Sequence, residues 1–474
     1  MVMTDKQPIK YDRTIIEIKN KRDIINQVSP TFCSAKWVQS TILLYNGETH
    51  SCHHPSRHKI QLSDIKDNPT GIHNTQVKLK ARQEMLDGIQ TKECDYCWNI
   101  ENLDNNYISD RIYKSSYSWA WPHLEEIKKS GIGKNIDPTY MEVAFENTCN
   151  FKCLYCSPES SSRWQEEVSH HGPISVTGYK LHDVVWLKQK GKLPIHRDSP
   201  NPYIDAFWEW WPTLYPKLHT FRITGGEPLL SKHTWAVLEY IKENPRSDLT
   251  LAINTNMNVP VNLIKKLIEY IQIIAPQIKD FDVYTSIEST DSQAEYARSG
   301  MVYNQFKDNC EYFLKNTPNN SRLHIMTTVN LMSAPTFINF LELIQTWREK
   351  YFLNRHDFRV RTMISYLRWP QFLSLNLLSL KDKQNFAKEW ISFVEDFVIT
   401  EEYESFHTFY VEELDQIKRL CDYMITSKPE SQTHYDDFRS FINTCDQRRN
   451  TSFIKTFPTL EYMMNSNYYG QTSE

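Results

Sequence analysis

The sequence predicts an α/β protein built around parallel strands. Three observations lead there. From Tyr140 onward there are six short runs rich in β-branched and aromatic residues, most of them leading into a longer stretch of helical periodicity, and polar or glycine-rich motifs fall directly after four of them.

The runs are "YMEVAFEN" from Tyr140, "HTFRIT" from His219, "LTLAINT" from Leu249, "FDVYTSI" from Phe281, "LHIMTTV" from Leu323 and "FRVRTMI" from Phe358. Between them lie "SKHTWAVLEYIKEN", "VNLIKKLIEYIQII" and "APTFINFLELIQTWREK", the last with Pro335 where a first-turn proline is tolerated. Such alternation implies right-handed crossovers between parallel strands, hence an α/β sheet or a partial barrel. Chemistry in these folds sits on loops at the carboxyl ends of strands. Here Cys149 to Cys156 follows the first run and "GGEP" (Gly225, Gly226, Glu227, Pro228) the second. "NTN" (Asn254 to Asn256) ends the third and "SIE" (Ser286 to Glu288) the fourth, so the four motifs share one rim.

One unit is oversized. More than sixty residues separate Cys156 from the second run, where a βα unit needs about thirty. An insertion over about 160–215 is implied, and its later part, "YIDAFWEWWPTLYPKL", reads as an aromatic helix packed on the flank. Residues 1–135 lack the alternation and predict a separate small cysteine-rich domain with a linker. Residues 136–370 form the core, and 371–474 predict amphipathic helices ending in a loose tail, "SNYYGQTSE".

The 474 residues exceed the usual size of a single core, and 40% hydrophobic with 24% charged residues describes a globular chain. A formal charge of -4 provides no global field for phosphate backbones, so nucleic acid is not an expected partner. "MVMTDKQPIKYDR" has no apolar secretory core, and no apolar run is long enough to span a bilayer. The expected location is the cytoplasm, with no membrane partner.

Seven of the ten cysteines fall in the first third of the chain; Cys310, Cys421 and Cys445 stand alone and read as small buried apolar side chains. In a reducing compartment clustered thiols hold metal more often than they form disulfides. Cys149, Cys153 and Cys156 make CxxxCxxC. Three thiolates on one short loop are a poor closed zinc cage, whereas a four-iron cluster held by three leaves one iron open to a small molecule.

CxxxCxxC with Tyr155 before its last cysteine, and GGEP after the next strand, resembles the radical S-adenosylmethionine (radical SAM) superfamily over roughly residues 136–366. The resemblance implies a (β/α)6 partial TIM barrel in which Cys149, Cys153 and Cys156 hold a 4Fe-4S cluster. It implies that S-adenosylmethionine (SAM) chelates the open iron through its amino and carboxylate groups. One electron then gives a 5′-deoxyadenosyl radical. By motif position, Gly225, Gly226 and Glu227 take the methionine amino group, and Pro228 stiffens that turn. Tyr155 lies beside the adenine, while Asn254, Asn256, Ser286 and Glu288 touch the ribose or carboxylate. Arg298, in "EYARSG", pairs with the SAM carboxylate.

A second group comprises Cys33, Cys52, Cys94 and Cys97. Thirteen residues separate Cys33 from Gly47 and four more separate Gly47 from Cys52, while Cys94 and Cys97 form CxxC. The CxnGx4C pattern is similar to the SPASM and twitch extensions of radical SAM enzymes, although those follow the core and this group precedes it. It implies an auxiliary iron-sulfur cluster, with structural zinc as the alternative. His53 and His54, read as solvent-facing, are left out of the ligand set.

The resemblance implies a SAM-dependent iron-sulfur oxidoreductase that abstracts hydrogen from a peptide or protein, with a flavodoxin or ferredoxin as electron donor. A sugar, nucleotide or other small metabolite is the alternative substrate. A non-catalytic metal-stapled scaffold, for which GGEP has no use, and a nucleic-acid-modifying enzyme are the rival classes.

Overall fold

The computed structural model describes residues 15–103, 108–131, 136–196, 198–353, 357–399, 408–427 and 431–469. The stretch Met1 to Arg13 and the last five residues of the expected tail lie outside them. The chain packs as two compact units, Met1–Glu146 with Pro194–Gly225 and Arg246–Ala252, and Asn147–Leu193 with Gly226–Pro245 and Ile253–Glu474. It is an α/β protein with mostly parallel strands.

In the first unit, β1 (Gln39–Leu43), β2 (Glu48–His50), β3 (His58–Lys59) and β4 (Tyr140–Ala144) precede a long excursion into the other unit. β4 lies between β1 and the later strand Thr220–Thr224, parallel to both, with Gln39 opposite Tyr140 and Tyr140 opposite Thr220. β2 and β3 continue from β1 antiparallel.

The cysteine-rich N-terminal region contributes β1 to the sheet beside β4. The edge of β4 away from Thr220–Thr224 would expose unpaired amides and carbonyls, and β1 covers it. In that region Trp37, Met85, Trp98 and Ile112 pack in one apolar cluster with Cys33, Cys94 and Cys97. The aromatic helix Pro202–Leu214 also belongs here. Its Phe207 ring meets Phe145 at 5.2 Å and Phe221 at 6.3 Å, and Trp210 and Trp211 are buried.

In the second unit the insertion forms the helix Ser162–His171, the hairpin of β5 (Ile174–Val176) and β6 (Tyr179–Leu181), and the helix Val184–Gln189. Strand Thr220–Thr224 of the first unit is β7. β8 (Thr250–Asn254) runs from the first unit into the second, where β9 (Asp280–Ser286), β10 (Ser321–Met326) and β11 (Val360–Met363) follow, β10 lying parallel between the other two.

The predicted runs become strands because their residues alternate, as in β9, or run apolar, as in β8. β9 buries Phe281, Val283 and Thr285 and turns the residues between them outward. The helix Val261–Ile274 buries Ile264, Leu267, Ile268, Ile271 and Ile274, the spacing of one helical face. The expected C-terminal helices are Leu380–Asp396, Val411–Thr426 and Gln432–Arg449. Cys310, Cys421 and Cys445 are fully buried, as expected of apolar side chains. Among the described residues no helix is long and apolar enough to cross a membrane.

Candidate active site

Beyond the end of β4 the chain has no regular structure until Ser162, so the three-cysteine loop is held in place by its neighbours. The Lys152 and Leu154 amides donate to the Ser299 and Ala297 carbonyls at 2.9 and 2.8 Å. Ser162 Oγ accepts from the Cys149 amide at 3.1 Å, and Trp164 Nε1 donates to the Cys153 carbonyl at 2.7 Å. Gly300 (φ +104°) lets Asn150 pass: a Cβ there would sit 2.6 Å from the Asn150 carbonyl oxygen.

Cys149, Cys153 and Cys156 are half-buried free thiols. Burial pushes all three up, Cys156 to about 12, and for Cys149 and Cys156 the neighbouring Cys153 adds to the rise. A bound cation, not water, is what would keep these sulfurs ionised.

The GGEP turn is fitted to the backbone beside it. A Cβ on Gly225 (φ +126°) would lie 2.5 Å from the Glu146 carbonyl oxygen, and one on Gly226 would lie 2.4 Å from that of Thr148. The Glu227 amide donates to the Thr148 carbonyl at 2.7 Å. Its buried carboxylate accepts from the Leu229 amide at 3.0 Å and the Asn256 amide at 2.7 Å. Burial raises Glu227 to about 7 despite those two donors. Pro228 is the first residue of the short turn Pro228–Leu230.

Asn256 Nδ2 donates to Asn150 Oδ1 at 2.6 Å and its Oδ1 accepts from the Asn258 amide, while Asn150 Nδ2 donates to the Asn258 carbonyl. The segment after β8 is thus tied both to Glu227 and into the cysteine loop. Tyr155 and Glu288 meet as well: the phenol donates to Oε1 at 2.6 Å, and Arg298 Nη2 donates to Oε2 at 2.6 Å. The Arg298 guanidinium lies 5.4 Å from the Tyr155 ring centre, and its Nη1 is 4.0 Å from Cys153 Sγ. Arg298 Nε is buried without a hydrogen-bond partner. Asn254 and Ser286 are the half-buried last residues of β8 and β9.

In the first unit, Cys33, Cys52, Cys94 and Cys97 line one cavity together with Lys36, Arg111 and Lys114. Burial raises all four thiols, Cys97 to about 12. His53 is exposed as expected, but His54 is not: its Nε2 is 2.7 Å from Asp110 Oδ2, and its ring stacks on Tyr96 at 3.8 Å.

No protein-family model matches the chain. Over 137 residues it is 26% identical to the GTP 3',8-cyclase of Aliarcobacter butzleri (strain RM4018), a match covering 29% of this chain and 32% of that protein. The chain thus matches about a third of that relative's length. The three-cysteine loop and the GGEP turn of this chain are the features that carry its resemblance to the radical SAM superfamily. The match is in keeping with the radical SAM resemblance of the two motifs.

Two solved structures of Streptococcus suis SuiB are also similar, each at 12% identity over 76% of this chain. The one bound to S-adenosylmethionine is covered over 68% with a TM-score of 0.31, and the one bound to precursor peptide SuiA over 69% with a TM-score of 0.35.

Of the residues singled out by radical SAM motif position, Tyr155, Glu288 and Arg298 form one bonded group and Glu227 and Asn256 another. Asn150, Asn258 and Trp164 are equally part of this framework and were missed by the sequence reading. Asn150 stands inside "CNFKCLYC", where a short amide among the cysteines was the available signal. Asn258 and Trp164 carry none: Asn258 joins Asn150 and Val302 across long stretches of chain, and nothing in the sequence marks the backbone carbonyl that the Trp164 indole reaches.

Proposed function

We propose that this chain is an enzyme that holds a 4Fe-4S cluster at Cys149, Cys153 and Cys156, binds SAM beside it, and modifies a peptide or protein. The observation that carries the proposal is the cysteine loop itself: three half-buried free thiols on an irregular segment whose backbone is pinned from both sides. The donor set fits the group. Arg298 Nε, buried and unpartnered, is available to an anion, and the Glu227 carboxylate, which accepts from two amides and the Thr255 side chain, retains a lone pair for an ammonium.

When bound, the cluster and SAM supply one-electron cleavage of the sulfonium and a carbon radical that takes hydrogen from the substrate. The protein's share is orientation. Glu227 and Gly226 hold the turn after β7 against Thr148, and Asn256 joins that turn to Asn150. Glu288 fixes the Tyr155 phenol and the Arg298 guanidinium at once. Asn254 and Ser286 complete the binding rim, and a flavodoxin or ferredoxin in the cytoplasm delivers the electron.

Cys33, Cys52, Cys94 and Cys97 hold an auxiliary iron-sulfur cluster in this proposal. Zinc bound at 2.3 Å to four sulfurs needs them about 3.8 Å apart. Structural zinc at the same four sulfurs, which line one cavity, is the alternative. The peptide or protein substrate rests on the likeness of these cysteines to the SPASM and twitch pattern. The six-unit partial barrel and the division of the chain near residues 135 and 370 belong to the same proposal.

Anaerobic incubation of the reconstituted protein with SAM and dithionite tests it. Formation of 5′-deoxyadenosine is expected, and its absence from cluster-loaded protein would favour a non-catalytic scaffold.

A further inference from the structure

Glu167, on the helix Ser162–His171, is 3% exposed and faces three cations. Lys152, from within the cysteine loop, lies 2.6 Å from Oε2, and Arg449 Nε lies 3.1 Å from the same oxygen. Arg448 Nη1 is 3.9 Å from Oε1. Burial acts to raise Glu167, but the charges of Arg449 and Lys152 hold it below the ordinary carboxylate value, so it stays ionised. One negative charge against three positive ones leaves an excess of two.

Arg449 is the most confined of the three. Its side chain is 4% exposed, and Nη1 and Nη2 are buried without hydrogen-bond partners. The guanidinium stacks on Trp164 at 4.5 Å, and Trp164 in turn donates to the Cys153 carbonyl. A buried cation with idle donors is unfavourable unless a counter-charge lies close by. The other carboxylates nearby are engaged. Glu288 is paired with Arg298 and Glu159 lies 3.5 Å from Lys192, whereas Asp446, on the same helix, is held by the neutral donors Tyr296 Oη, Thr451 Oγ1 and the Phe453 amide and keeps its charge, so a net excess of one remains. These cations lie against the cysteine loop: Lys152 belongs to it, and Trp164 joins Arg449 to the Cys153 carbonyl.

We propose that Arg449, brought to the loop by the C-terminal helix Gln432–Arg449, is a tuning residue whose charge offsets that of a cluster at Cys149, Cys153 and Cys156 and raises its reduction potential. The inference rests on the proposed cluster at these cysteines. Three thiolates give a four-iron core net negative charge, and the electron taken from the donor adds one more. Net charge around a cluster is among the quantities that set its potential. A fixed, desolvated cation therefore favours the reduced form without itself reacting.

The test uses the full-length protein, reconstituted without oxygen and poised with dithionite at successive potentials, followed by the EPR signal that changes on adding SAM. R449Q should lower the reduced-to-oxidised ratio at a fixed poise about tenfold, a midpoint lower by ~59 mV for a one-electron couple. R449K, which keeps the charge, should stay at the wild-type midpoint, and E167Q, which removes the anion, should move it upward. An R449Q midpoint equal to wild type, an R449K midpoint as low as that of R449Q, or a downward shift in E167Q overturns the inference. If R449Q takes up no cluster, the direction of the E167Q shift decides. A wild-type protein without any SAM-responsive signal defeats the cluster assignment, and this inference with it.

Discussion

Arg298 meets Glu288 at 2.6 Å in a pair almost sealed from solvent, the carboxylate side chain 0% and the guanidinium side chain 7% exposed. Glu288 also accepts a hydrogen bond from the Tyr155 phenol, so a single carboxylate orients two side chains beside Cys153. Removing its charge strands the guanidinium. E288Q should destabilise the protein by about 3–5 kcal/mol, and the double variant R298M/E288L should be less damaged than E288Q alone. Chemical denaturation of the cluster-free protein measures both.

The two glycines of the GGEP turn have different needs. G226A directs a methyl group at the Thr148 carbonyl, and G225A adds a positive φ to a clash with Glu146. Each should cost about 1–3 kcal/mol. Because the turn lies against the segment leading into Cys149, G226A should also weaken SAM binding, read by calorimetry on the reconstituted protein.

Glu227 makes stability depend on pH with an unusual sign. Burial raises its folded-state value to about 7, above that of the unfolded chain, so the folded state binds the proton more tightly. Its contribution is then most favourable below about pH 4.5 and is lost as pH rises toward 7. Moving a carboxyl from about 4.5 to about 7 corresponds to roughly 3 kcal/mol at 1.36 kcal/mol per pH unit. Urea titrations of the cluster-free protein between pH 5 and 7.5 should show this downward slope, and E227Q should remove it.

Much of this was legible from residue order. The six strands were, because their residues alternate, as in β9, or run apolar between turn residues; GGEP and CxxxCxxC were, because the chemistry of each is local. β1 was not. All five residues of "QSTIL" are buried, so no alternation marks it, and its partner β4 lies some hundred residues downstream. The bonds of Asn256 to Asn150 and of Arg449 to Glu167 were invisible for the same reason: each joins residues that only the fold brings together.

The N-terminal cysteines make a separate, countable prediction. With clusters at both cysteine groups the chain should carry about eight irons and little zinc, and replacing Cys33, Cys52, Cys94 and Cys97 by alanine should leave about four. Iron, sulfide and zinc analysis of anaerobic protein decides; one zinc per chain that disappears with those cysteines would mean a structural zinc site.

The EPR spectrum of the reduced protein with and without SAM, recorded for the wild type and for C149A/C153A/C156A, bears on the function of the whole chain. The wild type should show a cluster signal that SAM alters, and the triple variant should lose that signal while keeping any other cluster. A wild-type spectrum indifferent to SAM, or a SAM-sensitive signal surviving without these three cysteines, would contradict the placement of the cluster on this loop.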